Sequence, residues 1–275
     1  MLLAPGQLVE RYRIEELVAD ADLTEVYRVT HTWLGSSHAL KLLDLDGSDA
    51  LRQALLAEGR TMAGLGHPNL VRVTDALGIG DLPALVMDWV DGPSLAAWLA
   101  DRRAPVPVAT AVALFDGILA GVGHAHRHGV LHRDLKPENV LLARTADGLV
   151  PRVADFGIAK VRDRPGLSAV YMRFGTPEYM PPEAIDGRAP TDARADLFAL
   201  GVVLYELLTG RLPFDGEDPS VVTKAVLKGT FEDPATLRPE LAPALVALIR
   251  ALLASDPDAR PASCRAVRAA LTDIR

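Results

Sequence analysis

The chain has 275 residues, 49% of them hydrophobic and 24% charged, the mix of a soluble globular protein with one large domain or two lobes. Its net charge of −7 excludes nucleic acid as a main partner, because phosphate backbones need basic surface, but not a nucleotide in a local pocket. Its one cysteine, Cys264, excludes an intrachain disulfide or a cysteine cluster for zinc and fits a reducing, cytoplasmic setting. In chain order, "MLLAPG" lacks the charged start of a signal peptide. "YRIEELV", "EVYRVTH", "SHALKLLDL", "LVRVTDALGIG" and "LPALVMDWV" are β-prone runs divided by Gly, Asp or Pro. Within this β-rich part, 49–65 has a helical period that puts Leu51, Leu55, Met62 and Leu65 on one face.

From about Ser94 the pattern turns helical: "SLAAWLADR", "ATAVALFDGILAGVGHAHRHG", "ADLFALGVVLYELLTG", "PALVALIRALLAS" and "CRAVRAALTDI". The segment from His132 to Ile185 reads as rich in loops. The longest apolar stretch, Leu197 to Tyr205, is far short of the roughly 20 residues that span a bilayer. A β-rich lobe followed by a larger helical one is expected to leave a cleft, a usual place for a ligand.

"HRDLKPENVLL" carries the chemistry. His132, Arg133, Asp134, Lys136 and Asn139 crowd into eight positions, and the string closely matches the catalytic loop of protein kinases. Downstream, "VADFGIAK" supplies Asp155, Phe156 and Gly157, and "GTPEYMPPE" resembles the end of an activation segment. Asp196 in "DLFALGVVLYELLTG" resembles the Asp of a buried helix. Arg260 in "DPDARP" resembles an Arg that pairs with Glu183. Upstream, "HALKLL" gives Lys41. From roughly Tyr12 to Leu271 the chain thus resembles a eukaryotic-like Ser/Thr protein kinase of the bacterial type.

The resemblance implies an α+β, protein-kinase-like two-lobed fold in a single domain over 1–275. It has a β-rich N-lobe with one main helix (about 8–90) and a helical C-lobe (about 91–275). It implies ATP and Mg²⁺ as cofactors and transfer of the γ-phosphate to Ser or Thr of a protein substrate, with a homodimer as a further option. Asp134 would take the hydroxyl proton and Lys136 contact the transferring phosphate. Asn139 and Asp155 would hold magnesium, being oxygen ligands of the kind a hard cation prefers. Lys41 would grip the nucleotide while paired with Glu58. Spacing alone places Glu58 on the otherwise apolar helix face, where a carboxylate is costly unless paired. Met87 would be the gatekeeper, Asp88 to Val90 the hinge for adenine, and Val18, Val26, Ala39 and Leu141 its apolar sandwich.

The phosphate turn departs from the family pattern. Aligned on Val26, the three glycines of G-x-G-x-x-G-x-V fall on Ala19, Ala21 and Thr24. A Cβ in a left-handed conformation costs about 1–2 kcal/mol. Asp20 and Asp22 would add a repulsion of roughly 3 kcal/mol each at ~6 Å from a phosphate at an effective dielectric of about 20. The expectation is weakened ATP binding with the chemistry retained, since Lys41, Glu58, Asp134, Lys136, Asn139 and Asp155 are all present. The alternative is a pseudokinase scaffold acting through partners; a small-molecule kinase is less favoured because GTPEYMPPE resembles a protein-substrate platform. Arg133 and Ser168 suggest a phosphate switch in the activation segment, against the plain alternative of Ser168 as a solvated loop residue.

Overall fold

The computed structural model describes residues 3–21, 24–43, 59, 61–102, 104–156, 177–187 and 191–272, and the chain divides into two compact units, Met1–Asp91 and Gly92–Arg275. The first unit is a six-stranded antiparallel sheet of β1 (Leu8–Val9), β2 (Tyr12–Ala21), β3 (Thr24–His31), β4 (Ser37–Leu43), β5 (Val73–Ile79) and β6 (Leu82–Asp88), in the order β1-β2-β3-β4-β6-β5. Its period-2 pattern works as a pleated sheet requires: Tyr27 and Val29 are buried on one face of β3, against Ile14, Leu40, Leu42 and Val86. The run from Leu70 starts its strand only at Val73, because Leu70 N–H closes a turn onto His67 O. Of the window 49–65, Gly59 and 61–63 are helical, and Met62 and Leu65 are buried.

Among the described residues of the second unit, helices surround one hairpin. Its helices are α1 (Leu95–Ala100), α2 (Val108–Arg127), α3 (Pro182–Asp186), α4 (Ala193–Thr209), α5 (Pro219–Lys228), α6 (Pro234–Leu237), α7 (Pro243–Leu252) and α8 (Cys264–Thr272). β7 (Val140–Thr145) and β8 (Gly148–Val153) pair inside the segment expected to be loop-rich. The hairpin sits against the start of the unit: Leu142 N–H donates to Pro93 O at 2.8 Å, and a Cβ at Gly92 would stand 1.8 Å from Leu142 O. Only glycine fits there. α5 escaped the sequence pattern because Val221, Val222 and Thr223 read as strand; its Asp218 cap, Pro219 and Gly229 were the available signal.

Two helices are largely apolar for the same reason: they are core. α4 runs through the unit with almost every side chain buried, and a Cβ on Gly201 would lie 2.7 Å from Leu252 Cβ, so α7 packs directly on its backbone. α2 is long and apolar enough to cross a bilayer by length and composition, although Asp116 and its histidines interrupt the apolar run. Ten of its residues are buried within the protein, as for a core helix.

Arg260 ties the unit's far ends together. Its guanidinium donates to both Glu183 oxygens at 2.7 Å, to Ala254 O and Arg194 O at 2.9 Å, and to Ser255 O at 3.4 Å. All five N–H groups find acceptors, and the plane lies 5.0 Å from the Phe198 ring centre. Both members of the pair are buried. Breaking a buried pair leaves one charge uncompensated, which costs about 3–5 kcal/mol. Glu183→Ala is therefore expected to lower the unfolding free energy by that amount, with a smaller loss for Glu183→Gln, measured by urea denaturation; a change within about 1 kcal/mol would show that the pair is solvated.

Candidate active site

The loop that carries HRD is fixed from α4. Asp196, 1% exposed, lies in the first turn of that helix. Its Oδ2 accepts from His132 N–H at 2.8 Å and from His126 Nε2 at 2.7 Å, and its Oδ1 accepts from Arg133 N–H at 2.7 Å. Arg133 has φ 65°, a left-handed backbone that a non-glycine residue adopts at a cost of about 1–2 kcal/mol. The carboxylate meets that cost with two charge-assisted bonds to consecutive N–H groups. Burial alone would raise the Asp196 carboxyl, but the His126 bond and nearby charges hold it below the usual range. His126 was not anticipated from the sequence. The available signal was a histidine in the last turn of α2, one residue after buried Ala125.

His132 is fully buried and, by desolvation, held as a neutral base. Its bonds define the tautomer: Nε2–H donates to Ala154 O at 2.8 Å, and Nδ1 accepts from Asp134 N–H at 3.3 Å. The ring packs against Phe156 at 4.5 Å. One side chain therefore joins the HRD loop to the segment that carries Asp155.

Asp134 and Asn139 form the next layer. Asn139 Nδ2 donates to Asp134 O at 2.7 Å and to Asp134 Oδ2 at 3.3 Å. Those bonds use the amide nitrogen and not Oδ1. Lys136 Nζ lies 3.9 Å from Asp134 Oδ2, the outer limit of an ion pair, with both side chains about a quarter exposed. Ala154 N–H donates to Asn139 O at 2.8 Å, which brings Asp155 beside Asn139, and Asp155 is itself left-handed at φ 59°. An amide oxygen and a carboxylate are hard donors that suit Mg²⁺, which takes one or two protein oxygens and completes its shell with phosphate and water. No cluster of three or more His, Cys, Asp or Glu that could cage a metal occurs among the described residues.

In the first unit the sheet register sorts the remaining candidates by face. Val26 pairs with Lys41 and with Ala19, Ala21 with Thr24, and Ala39 with Met87. Paired residues project to the same side, so Ala19, Ala21, Thr24, Val26, Ala39, Lys41 and Met87 share one face. Lys41 is 6% exposed there. Val18 is the extra residue of a bulge between Leu17 and Ala19 and is half-exposed. Asp88 N–H donates to Arg72 O at 2.9 Å, and Val90 is buried. Leu141 belongs to the second unit, on β7, bridged to Ser94. Glu58, Asp22, Gly157 and Ser168 lie outside the described residues.

The glycine-free turn differs from its expected form. β2 continues to Ala21 and β3 begins at Thr24, so Ala19, Asp20 and Ala21 are strand residues. No residue of 17–21 or 24–27 is among the non-glycine residues with positive φ, so the left-handed cost expected at Ala19 and Ala21 is not incurred. Extended geometry suits a short side chain with a Cβ. Asp20 pairs with Glu25 on the face opposite Lys41. Its charge is felt by the buried Tyr27 hydroxyl, so the repulsion assigned to Asp20 beside a phosphate falls on the other side of the sheet.

Comparison with known proteins agrees with this geometry. The protein kinase domain family model matches residues 12–271. The serine/threonine-protein kinase PkaA of Streptomyces coelicolor is 40% identical over 231 residues, 83% of this chain and 41% of its own. Serine/threonine-protein kinase Pkn1 of Myxococcus xanthus is 37% identical over 266 residues, 94% of this chain and 38% of its own. The crystal structure of the Mycobacterium tuberculosis PknI kinase domain has a TM-score of 0.77 and 29% identity, covering 100% of both chains. This chain spans less than half the length of those two curated relatives. With the HRD loop held on Asp196, Asp155 drawn beside Asn139, and a family match over nearly its whole length, the chain belongs to the protein kinase family, among its bacterial eukaryotic-like Ser/Thr members.

Proposed function

We propose that the chain is a catalytic domain, 1–275, that transfers the γ-phosphate of ATP to Ser or Thr hydroxyls of a protein substrate in the cytoplasm. The observation that carries this reading is the Asp134–Asn139–Asp155 arrangement, in which the Asn139 amide bonds Asp134 and the backbone bond from Ala154 to Asn139 brings Asp155 alongside. In this reading Asp134 accepts the proton of the attacking hydroxyl and orients that oxygen. Lys136 offsets charge on the phosphoryl group in transit. Asn139 Oδ1 and Asp155 would hold Mg²⁺, which supplies charge neutralisation for the phosphates. Lys41, fixed within β4, would contact the nucleotide phosphates, with Glu58 as its expected carboxylate partner. Met87, Asp88, Val90, Val18, Val26, Ala39 and Leu141 provide the adenine-binding backbone and its apolar surroundings. A pseudokinase is disfavoured because a chain released from catalysis has no reason to keep all of Lys41, Glu58, Asp134, Lys136, Asn139 and Asp155.

The same reading assigns weak ATP affinity to the hairpin. Its strands pair down to Ala21 and Thr24, so the tip offers phosphate less free backbone than a glycine-rich loop would. Binding then leans on Lys41 and magnesium. Lys41→Met is expected to lose at least tenfold in ATP affinity by calorimetry, as well as transfer. Asp134→Asn should nearly abolish transfer of labelled γ-phosphate while leaving circular dichroism and ATP affinity unchanged; wild-type-like transfer in Asp134→Asn would overturn the reading. For regulation, Ser168 is expected to be autophosphorylated and Ser168→Ala to lower the rate several-fold. Mass spectrometry after incubation with ATP and Mg²⁺ checks this, and an unmodified Ser168 in active enzyme would point to a loop ordered without phosphate.

A further inference from the structure

The phosphate hairpin carries a feature that the reaction chemistry does not explain. Asp20 and Glu25 are directly cross-strand partners, one residue pair from the tip. Like charges so placed, with Cβ atoms roughly 4.5–5.5 Å apart, push the strands apart. Nevertheless the ladder continues past them to Ala21–Thr24. The reverse face of the sheet carries a contact that offsets the repulsion. Tyr27, two residues along from Glu25 on the same face, is fully buried and donates its hydroxyl proton to Glu25 Oε2 at 2.5 Å. The Tyr27 hydroxyl oxygen in turn accepts Leu3 N–H at 2.9 Å, and Leu3 is buried in the core cluster that holds Tyr27. The hydroxyl is thus fixed from the N-terminal segment and aimed at Glu25. Burial and the Glu25 bond push the Tyr27 hydroxyl pKa up to about 12, so it remains a donor across the physiological range.

We propose that Tyr27 is a positioning residue for nucleotide binding: anchored by Leu3, its hydroxyl draws the Glu25 carboxylate away from Asp20 and keeps the glycine-free hairpin paired to its tip. The proposal rests on the reading of this hairpin as the phosphate lid. A glycine-rich lid is shaped by backbone freedom; this one is shaped by a side chain on its back. Its front face carries Ala19, Ala21, Thr24 and Val26 in line with Lys41, and that alignment lasts only while the ladder is closed.

The test compares the wild type, Tyr27→Phe, Glu25→Gln, and Tyr27→Phe combined with Asp20→Asn. Amide hydrogen exchange over 17–21 and 24–27, without nucleotide, reads hairpin closure. ATP-dependent transfer reads KM and kcat. Tyr27→Phe keeps the buried ring and is expected to speed exchange in these segments at least fivefold and to raise KM for ATP about threefold, with kcat within twofold. Adding Asp20→Asn should restore both, because it removes the repulsion the hydroxyl had offset. Glu25→Gln should leave exchange slow, since a neutral amide faces Asp20. If Tyr27→Phe leaves exchange unchanged, or if Asp20→Asn fails to restore it, the proposal is overturned; a residue that merely packs the core would lose stability with no rescue at Asp20. A wild type that transfers no phosphate would refute the lid reading separately, and restored exchange in the double variant would still establish the charge-positioning role of Tyr27.

Discussion

The catalytic loop depends on one buried carboxylate. Asp196 accepts from two consecutive backbone N–H groups and from His126, and the first two bonds hold Arg133 in a left-handed turn. That turn sets the direction of everything after it. Asp134 N–H reaches His132 Nδ1, His132 Nε2 reaches Ala154 O, and Ala154 N–H reaches Asn139 O. The chain of bonds returns to Asp134 through the Asn139 amide. Asp134 and Asn139 are therefore placed by the backbone and by His132, and little depends on their own rotamer freedom. Such preorganisation suits a reaction that consists mostly of positioning and charge stabilisation.

A buried ionic group is not by itself stabilising, and the unit uses two of them differently. The Arg260–Glu183 pair is fully desolvated with every donor matched, and an apolar pair of the same volume could replace it energetically. What an apolar pair could not do is fix Arg194 O, Ala254 O and the end of the activation segment in one arrangement. Asp196 goes further, since its charge strengthens bonds to a strained backbone. In the first unit the logic inverts. Asp20 and Glu25 are charges of one sign brought together, and a neutral hydroxyl keeps them apart.

How much of this was legible in the sequence follows from the range of each interaction. Motifs of contiguous polar residues, such as His132 to Asn139, were readable because their spacing is local and the chemistry demands those residue types. Asp196 and Arg260 were readable only through resemblance, since their partners stand 64 and 77 positions away. His126 and Tyr27 were missed for a related reason: a histidine in an apolar helix and a tyrosine in a strand are ordinary core residues until a partner across the fold is known. The hairpin was misread at Ala19, Asp20 and Ala21 because a family pattern supplied a left-handed conformation that this sequence has no glycine to need. Helix α5 was hidden by β-branched residues, although its capping residues marked both ends.

Acid acts on this arrangement at the same place from two directions. Asp196 has a folded-state pKa held below its ordinary value, so its contribution is present above the unfolded-state carboxylate pKa and is lost as pH falls through the lowered one. His132 is a base whose folded-state pKa is lowered by burial. The unfolded chain takes up that proton first, so this contribution too is present above the ordinary histidine range and declines below it. Protonated His132 would lose the Nδ1 acceptor that receives Asp134 N–H, and protonated Asp196 would weaken its hold on Arg133. Both changes release the same turn. The loop that carries Asp134 is thus coupled to two buried groups that acid disfavours, and loss of alignment is expected to precede loss of the apolar packing of α4 around Leu197, Phe198, Leu200 and Leu204.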